Sequence, residues 1–152
     1  METDTSGRDL GLPLERVVGA ILRNNNRVLL CLRSRERRHY PGVWDVPGGH
    51  VDGHESPQEA LVRELEEELG IKAGVPPGRP WIAEEFEGVE LSLFVIDQWD
   101  GEIRNCAPHE HEAVRWVSLE ELPGLELAHP RYRAVLPQAV QAPGPSRPER
   151  DA

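Results

Sequence analysis

The sequence predicts an α/β fold in which a mixed β-sheet packs between helices. Three observations carry that prediction. Apolar runs of strand length occur on both sides of one well-capped amphipathic helix. A second helical stretch follows the last of them, and turn residues separate nearly every run. A chain of 152 residues with 38% apolar residues suits one domain with a single modest core.

Residues 1–13 are polar and without period, and read as a flexible arm before a domain spanning 14–141. Residues 17–22 are a strand, 23–27 with three asparagines a turn, and 27–33 a returning strand, so the pair is a hairpin. Arg33, Arg35, Arg37 and Arg38 then form a basic cluster in an acidic chain. Arg37 and Arg38 read as a solvated loop, whereas Arg33 and Arg35 are candidates for substrate phosphates. Tyr40-Pro41-Gly42 is a turn, and Trp44-Asp45-Val46 a short strand. Trp44 either stacks on a base or fills core space.

Pro47-Gly48-Gly49 reads as a tight loop, because glycine permits positive φ and close backbone approach. Ser56, Pro57 and Glu59 supply an N-cap, a proline at the first helical position and a capping-box acid; Gly70 supplies the stop. A helix is therefore expected over 57–69, with Leu61, Val62, Leu65 and Leu69 as its buried stripe. Glu64, Glu67 and Glu68 share one face at the edge of that stripe. At ~5.5 Å and an effective dielectric of ~20, each close pair of charges repels by about 3 kcal/mol. Arg63 can neutralise one of them, and a divalent cation the rest. Carboxylate oxygens suit Mg²⁺ or Mn²⁺, which screen phosphate oxygens and activate water.

Residues 72–80 form a loop rich in proline and glycine, and two strands follow at 81–86 and 91–96. Leu91, Leu93 and Val95 alternate with Ser92, Phe94 and Ile96, so the second of these is apolar on nearly both faces and should be central. A polar loop over 106–114 leads to a strand at 114–117. His109 and His111 lie in that loop with no third nitrogen or sulfur ligand at useful spacing, which disfavours zinc. Residues 119–123 are a helical turn, and a helix starts at His129-Pro130 and runs to about Leu136, a kinked continuation past Pro137 to Val140 being the alternative. Residues 142–152 read as a disordered tail. Cys31 lies in an apolar run as a buried thiol, and with Cys106 forms no disulfide framework. A formal charge of −10 argues against nucleic-acid or anionic-membrane partners, and no stretch reaches membrane-spanning length. A cytoplasmic monomer or homodimer acting on a small molecule is expected.

Gly49, five residues, Glu55, seven residues, then Arg63-Glu64-Leu65-Glu66-Glu67-Glu68-Leu69-Gly70-Ile71 fit the Nudix box without a mismatch. At typical residue frequencies a chance match is on the order of 10⁻⁸. The chain resembles the Nudix hydrolases, with a MutT-like layout over about residues 14–141. The resemblance implies a Nudix α/β/α sandwich and hydrolysis of a diphosphate linkage in a nucleoside di- or triphosphate derivative, water attacking phosphorus while a carboxylate takes the proton. By position it implies Glu67 and Glu68 as metal ligands, Glu64 as ligand or base, and the carbonyl of Gly48 as a further ligand. Arg63 would orient a glutamate, and Gly49, Glu55 and Gly70 would shape the box. Glu112 would complete the metal site or act as base, with Glu110 the fallback. Ala128-His129 stands where MutT-type readers of oxidised guanine place an asparagine, so His129 is a candidate for base contact. The Glu84-Glu85-Phe86-Glu87 segment lacks the proline of ADP-ribose enzymes and the tyrosine of dinucleotide polyphosphate enzymes. Conversion of a nucleoside triphosphate to monophosphate and pyrophosphate is the first expectation. Dinucleotide polyphosphates, ADP-sugars or a non-nucleotide diphosphate are the alternative, and a non-catalytic nucleotide-binding regulator is the second.

Overall fold

The computed structural model describes residues 15–38 and 40–143. The arm expected at 1–13, and the tail from 144 onward, lie outside the described residues. Strand β1 (Glu15–Asn24) turns back into β2 (Arg27–Arg33) through Asn25 and Asn26, both at positive φ (54° and 62°). This two-residue loop with two left-handed positions is the kind that matches strand twist, and asparagine tolerates it better than most residues. Two short strands follow, β3 (Trp44–Asp45) and β4 (Gly48–His50), then helix α1 (Pro57–Leu69). Strands β5 (Ile82–Phe86), β6 (Val89–Ile96) and β7 (His111–Ser118) precede a 3₁₀ turn (Leu122–Gly124) and helix α2 (Tyr132–Gln141).

The sheet runs β3-β2-β1-β6-β5, with β4 paired to β1 and β7 to β2. β1 is parallel to β6 from Glu15 to Leu22, antiparallel to β4 over Val17 to Gly19, and meets β2 only at Arg23 and Asn24. β1 therefore belongs to two ladders, which separate along its length. Side-chain alternation sends Val18, Ala20 and Leu22 of β1 to the face covered by Ala60, Leu61, Leu65 and Leu69 of α1. Ile21 of β1, with Val28 and Leu30 of β2, meets Val135, Leu136 and Ala139 of α2 on the other face. The sheet thus lies between helices, and β6 is interior, as its two apolar faces require. Arg23 is buried at the end of β1, paired with Asp97 at 2.7 Å and donating to the Ala142 carbonyl at 2.7 Å beyond the end of α2.

Several expectations change: the last helix starts at Tyr132 and not at His129-Pro130, and the central strand starts at Val89 and not at 91. Residues 48–50 form a strand on β1 and not a free loop, because glycines let two backbones close up. A Cβ on Gly48 would collide with the Val18 carbonyl. The last strand starts at His111 and not at 114, since β2 pairs it as far as Arg33, past an irregularity between Leu32 and Arg33. Cys31 is fully buried, and burial raises its thiol well above the ordinary range.

Candidate active site

Helix α1 begins and ends where its sequence dictates. Ser56 accepts from the Glu59 N–H, Glu59 accepts in return from the Ser56 N–H at 3.0 Å, and Gly70 closes the helix in the left-handed conformation. That phase fixes which carboxylates face inward. Glu68 lies on the buried stripe with its side chain 7% exposed, Glu64 is 13% exposed, and Glu67 is 57% exposed. Glu64 lies against the backbone of β4, where a Cβ on Gly49 would overlap its carboxylate. The Gly48 N–H donates to Glu68 Oε1 at 3.3 Å. Gly49 thus leaves room for Glu64, while Gly48 lets β4 close on β1 and turns its N–H to Glu68.

Arg63 braces this arrangement. Its Nε and Nη2 grip Glu55 at 2.7 and 3.0 Å, Nη1 reaches Glu64 at 3.2 Å and Glu67 at 3.4 Å, and Nη2 also donates to the His50 carbonyl at 3.1 Å. Glu55 also accepts from the Asp52 N–H at 3.0 Å, so it ties helix to loop without entering the inner cluster. The Arg63 guanidinium holds the Glu55 carboxyl down at about 2, while Glu55 keeps Arg63 protonated.

Glu64 behaves oppositely. Burial pushes its carboxyl up to about 8, and the hydrogen bond and charge of Glu68 add to the shift. Ionising Glu64 there sets its charge in a sheltered place beside the carboxylate of Glu68, which disfavours the charged form. A divalent cation fits that position, since it removes the same repulsion with more charge. Glu64 and Glu68 face that position, and the exposed Glu67 lies at its rim.

The carboxylate that turns toward Glu68 from the segment leading into β7 is Glu110, not Glu112. Ligand atoms of Glu68, Glu110 and His111 lie within 4.8 Å of one another. Glu112 lies inside β7, where alternation against the buried His111 turns it outward and Arg35 holds it at 3.1 Å. Glu110 precedes the strand in a turn closed by its N–H on the Ala107 carbonyl, and so escapes that alternation. Arg37 is 3.5 Å from Glu110, so the loop arginines counter both acids.

A second polar cluster adjoins the first. Asp45 on β3 accepts from the Tyr132 hydroxyl at 2.9 Å and lies 4.0 Å from Arg33, whose Nε donates to the Tyr40 carbonyl. Burial raises Asp45 and Tyr132 above their ordinary values, and Glu68 adds slightly to the shift on Asp45. His129 lies between Phe86 and Tyr132 with centroids at 4.7 and 5.4 Å, its Nε2 is buried without a partner, and burial lowers its pKa. Trp44 has Arg115 over its ring at 5.4 Å. Arg33 and His129 therefore join one cluster, Arg35 lies apart on Glu112, and one face of Trp44 is occupied. Sequence reasoning missed Asp45, Tyr132 and the inward turn of His111. The alternation of the short strand beside Trp44 could have flagged Asp45.

A family model described as the NUDIX domain matches residues 13–139. The CTP pyrophosphohydrolase of Escherichia coli (strain K12) is 36% identical over 107 residues, covering 69% of this chain and 76% of that protein. The 8-oxo-dGTP diphosphatase of Proteus vulgaris is 33% identical over 92 residues, covering 59% and 81%. Among solved structures, the MutT Nudix hydrolase from Burkholderia pseudomallei superposes with a TM-score of 0.72 at 32% identity, covering 84% of this chain and 98% of that one. With an intact box on the helix that faces the glycine strand, the chain belongs to the Nudix family, as a MutT-like pyrophosphohydrolase.

Proposed function

We propose that this chain hydrolyses a nucleoside triphosphate to the monophosphate and pyrophosphate, with Mg²⁺ or Mn²⁺ held by Glu64, Glu67, Glu68 and the Gly48 carbonyl. The observation that carries this is the packing of Glu64 and Glu68 against the glycine strand, under the brace of Arg63. A divalent cation supplies charge for the phosphate oxygens and a more acidic water. Glu64 gives up its proton when the site is loaded and then accepts one from the attacking water. Glu112 is the weaker base, being engaged with Arg35. Arg33, between Asp45 and the metal-binding acids, is suited to hold a phosphate. Asp45, Tyr132 and His129 offer hydrogen-bonding groups to a base edge, and Phe86 and Trp44 offer apolar surface. Relatives named for CTP and 8-oxo-dGTP support a nucleoside triphosphate as substrate. A domain bounded by residues 14 and 141, acting in the cytoplasm as a monomer or homodimer, goes with this reading; no helix among the described residues is long and apolar enough to cross a membrane.

A substrate panel with Mg²⁺ tests it, counting released phosphate and pyrophosphate, with Glu68→Gln in parallel. Release of pyrophosphate from one triphosphate, lost in the variant, is expected. Turnover of ADP-sugars or dinucleotide polyphosphates alone would move the substrate to the alternative class. Metal-dependent binding without turnover of any compound would indicate a regulator.

A further inference from the structure

His111 opens β7 with its side chain 7% exposed, and its Nε2 is 3.4 Å from Glu68 Oε1. Its Nδ1 is buried and has no hydrogen-bond partner. A neutral imidazole carries one N–H and one lone pair. If Nε2 holds the proton, it makes a long bond to Glu68 and leaves the Nδ1 lone pair with no donor. If Nδ1 holds it, a buried donor is orphaned and the Nε2 lone pair faces a carboxylate. Neither tautomer is satisfied by the protein alone, and buried polar groups rarely go unpaired. Glu110 adds a carboxylate beside them, and the three donor atoms lie within 4.8 Å of one another. Ligands at ~2.1–2.2 Å from one ion approach that spacing. Glu68 is common to this set and to the α1 glutamates, so the imidazole borders the reacting centre.

We propose that His111 is a ligand of the metal centre, giving it a nitrogen donor beside Glu68 and Glu110 and a preference for Mn²⁺ over Mg²⁺. Mg²⁺ takes oxygen ligands and dehydrates reluctantly, whereas imidazole strengthens binding of first-row transition ions. This assignment rests on the metal-dependent reading of the α1 glutamates.

The test is pulsed electron paramagnetic resonance of the full chain loaded with Mn²⁺, alongside Mn²⁺ and Mg²⁺ titrations. Wild type is expected to show nitrogen-14 coupling that is replaced by nitrogen-15 coupling on histidine labelling. The coupling should vanish in His111→Gln and His111→Asn and persist in His109→Gln, whose parent side chain is exposed. Mn²⁺ affinity should fall by at least about tenfold in H111Q, the lower end of what even an outer partner of a ligand contributes. Mg²⁺ affinity should change much less. Mn²⁺ bound without nitrogen coupling in wild type overturns the assignment whatever the variants do, leaving the metal-dependent reading intact. Equal losses of both metals in H111Q would also overturn it, making His111 an orienting partner of Glu68. No Mn²⁺ binding at all overturns both.

Discussion

Arg63 touches Glu55, Glu64, Glu67 and the His50 carbonyl through one planar group, and a lysine cannot reproduce that geometry. Arg63→Lys is therefore expected to lower metal affinity and kcat/KM by about 10–100-fold, the usual cost of losing an outer partner of metal ligands. Titration calorimetry and steady-state kinetics would read both. The two shifted carboxyls beside it act on stability with opposite sign. Glu64 keeps its proton in the metal-free fold up to about 8, while the unfolded chain loses it near 4.5. The fold then binds the extra proton, so metal-free stability falls as pH rises through that window. Across the same window metal binding should release a proton, and metal affinity should rise with pH. Calorimetry in two buffers of different ionisation enthalpy measures the release. Glu55, held at about 2 by Arg63, contributes stability that is present above 4.5 and lost as pH falls toward 2. Denaturation curves over pH should show both limbs, with added metal flattening the upper one.

The two elements that build the site, β4 and α1, meet through the absence of a side chain. Gly49→Ala puts a Cβ into the Glu64 carboxylate, so it should weaken metal binding and turnover while leaving the rest of the sheet intact. An unchanged metal affinity in that variant would show that Glu64 is not held where β4 places it. Ser56→Ala removes the N-cap of α1 and should cost about 1 kcal/mol in urea denaturation, with little kinetic effect. Helix α1 was legible in the sequence because its start, stop and buried stripe are written locally. The β1–β2 hairpin was legible for the same reason: two asparagines suit its left-handed turn. Strand β4 was not legible, since three residues with two glycines carry no periodicity and become a strand only when β1 is present to pair. The start of β7 depended in the same way on β2. That three-residue difference decides whether Glu110 or Glu112 faces Glu68, so the inner carboxylate required the register. Asp45 and Tyr132 come from elements distant in sequence, and no local pattern announces their hydrogen bond.

At the scale of the whole molecule, both faces of the sheet converge on the site: α1 brings carboxylates from one side, while β3 and α2 bring Asp45 and Tyr132 from the other. A chain shortened to residues 14–143 is expected to retain the turnover and melting temperature of the full chain, because the described elements and the site fall between those limits. A large loss of either would assign a role to the segments removed. β1 has a consequence for timing. It scaffolds β4 over Val17 to Gly19, yet its main ladder is with β6, far later in the chain. During synthesis the box helix leaves the ribosome before the strand that must hold its scaffold in place. Parallel pairing over such a distance is slow to form. The emerging acidic helix therefore waits for Val89–Ile96 before it can gather a metal ion, and binding competence should appear in one late step and not grow with chain length.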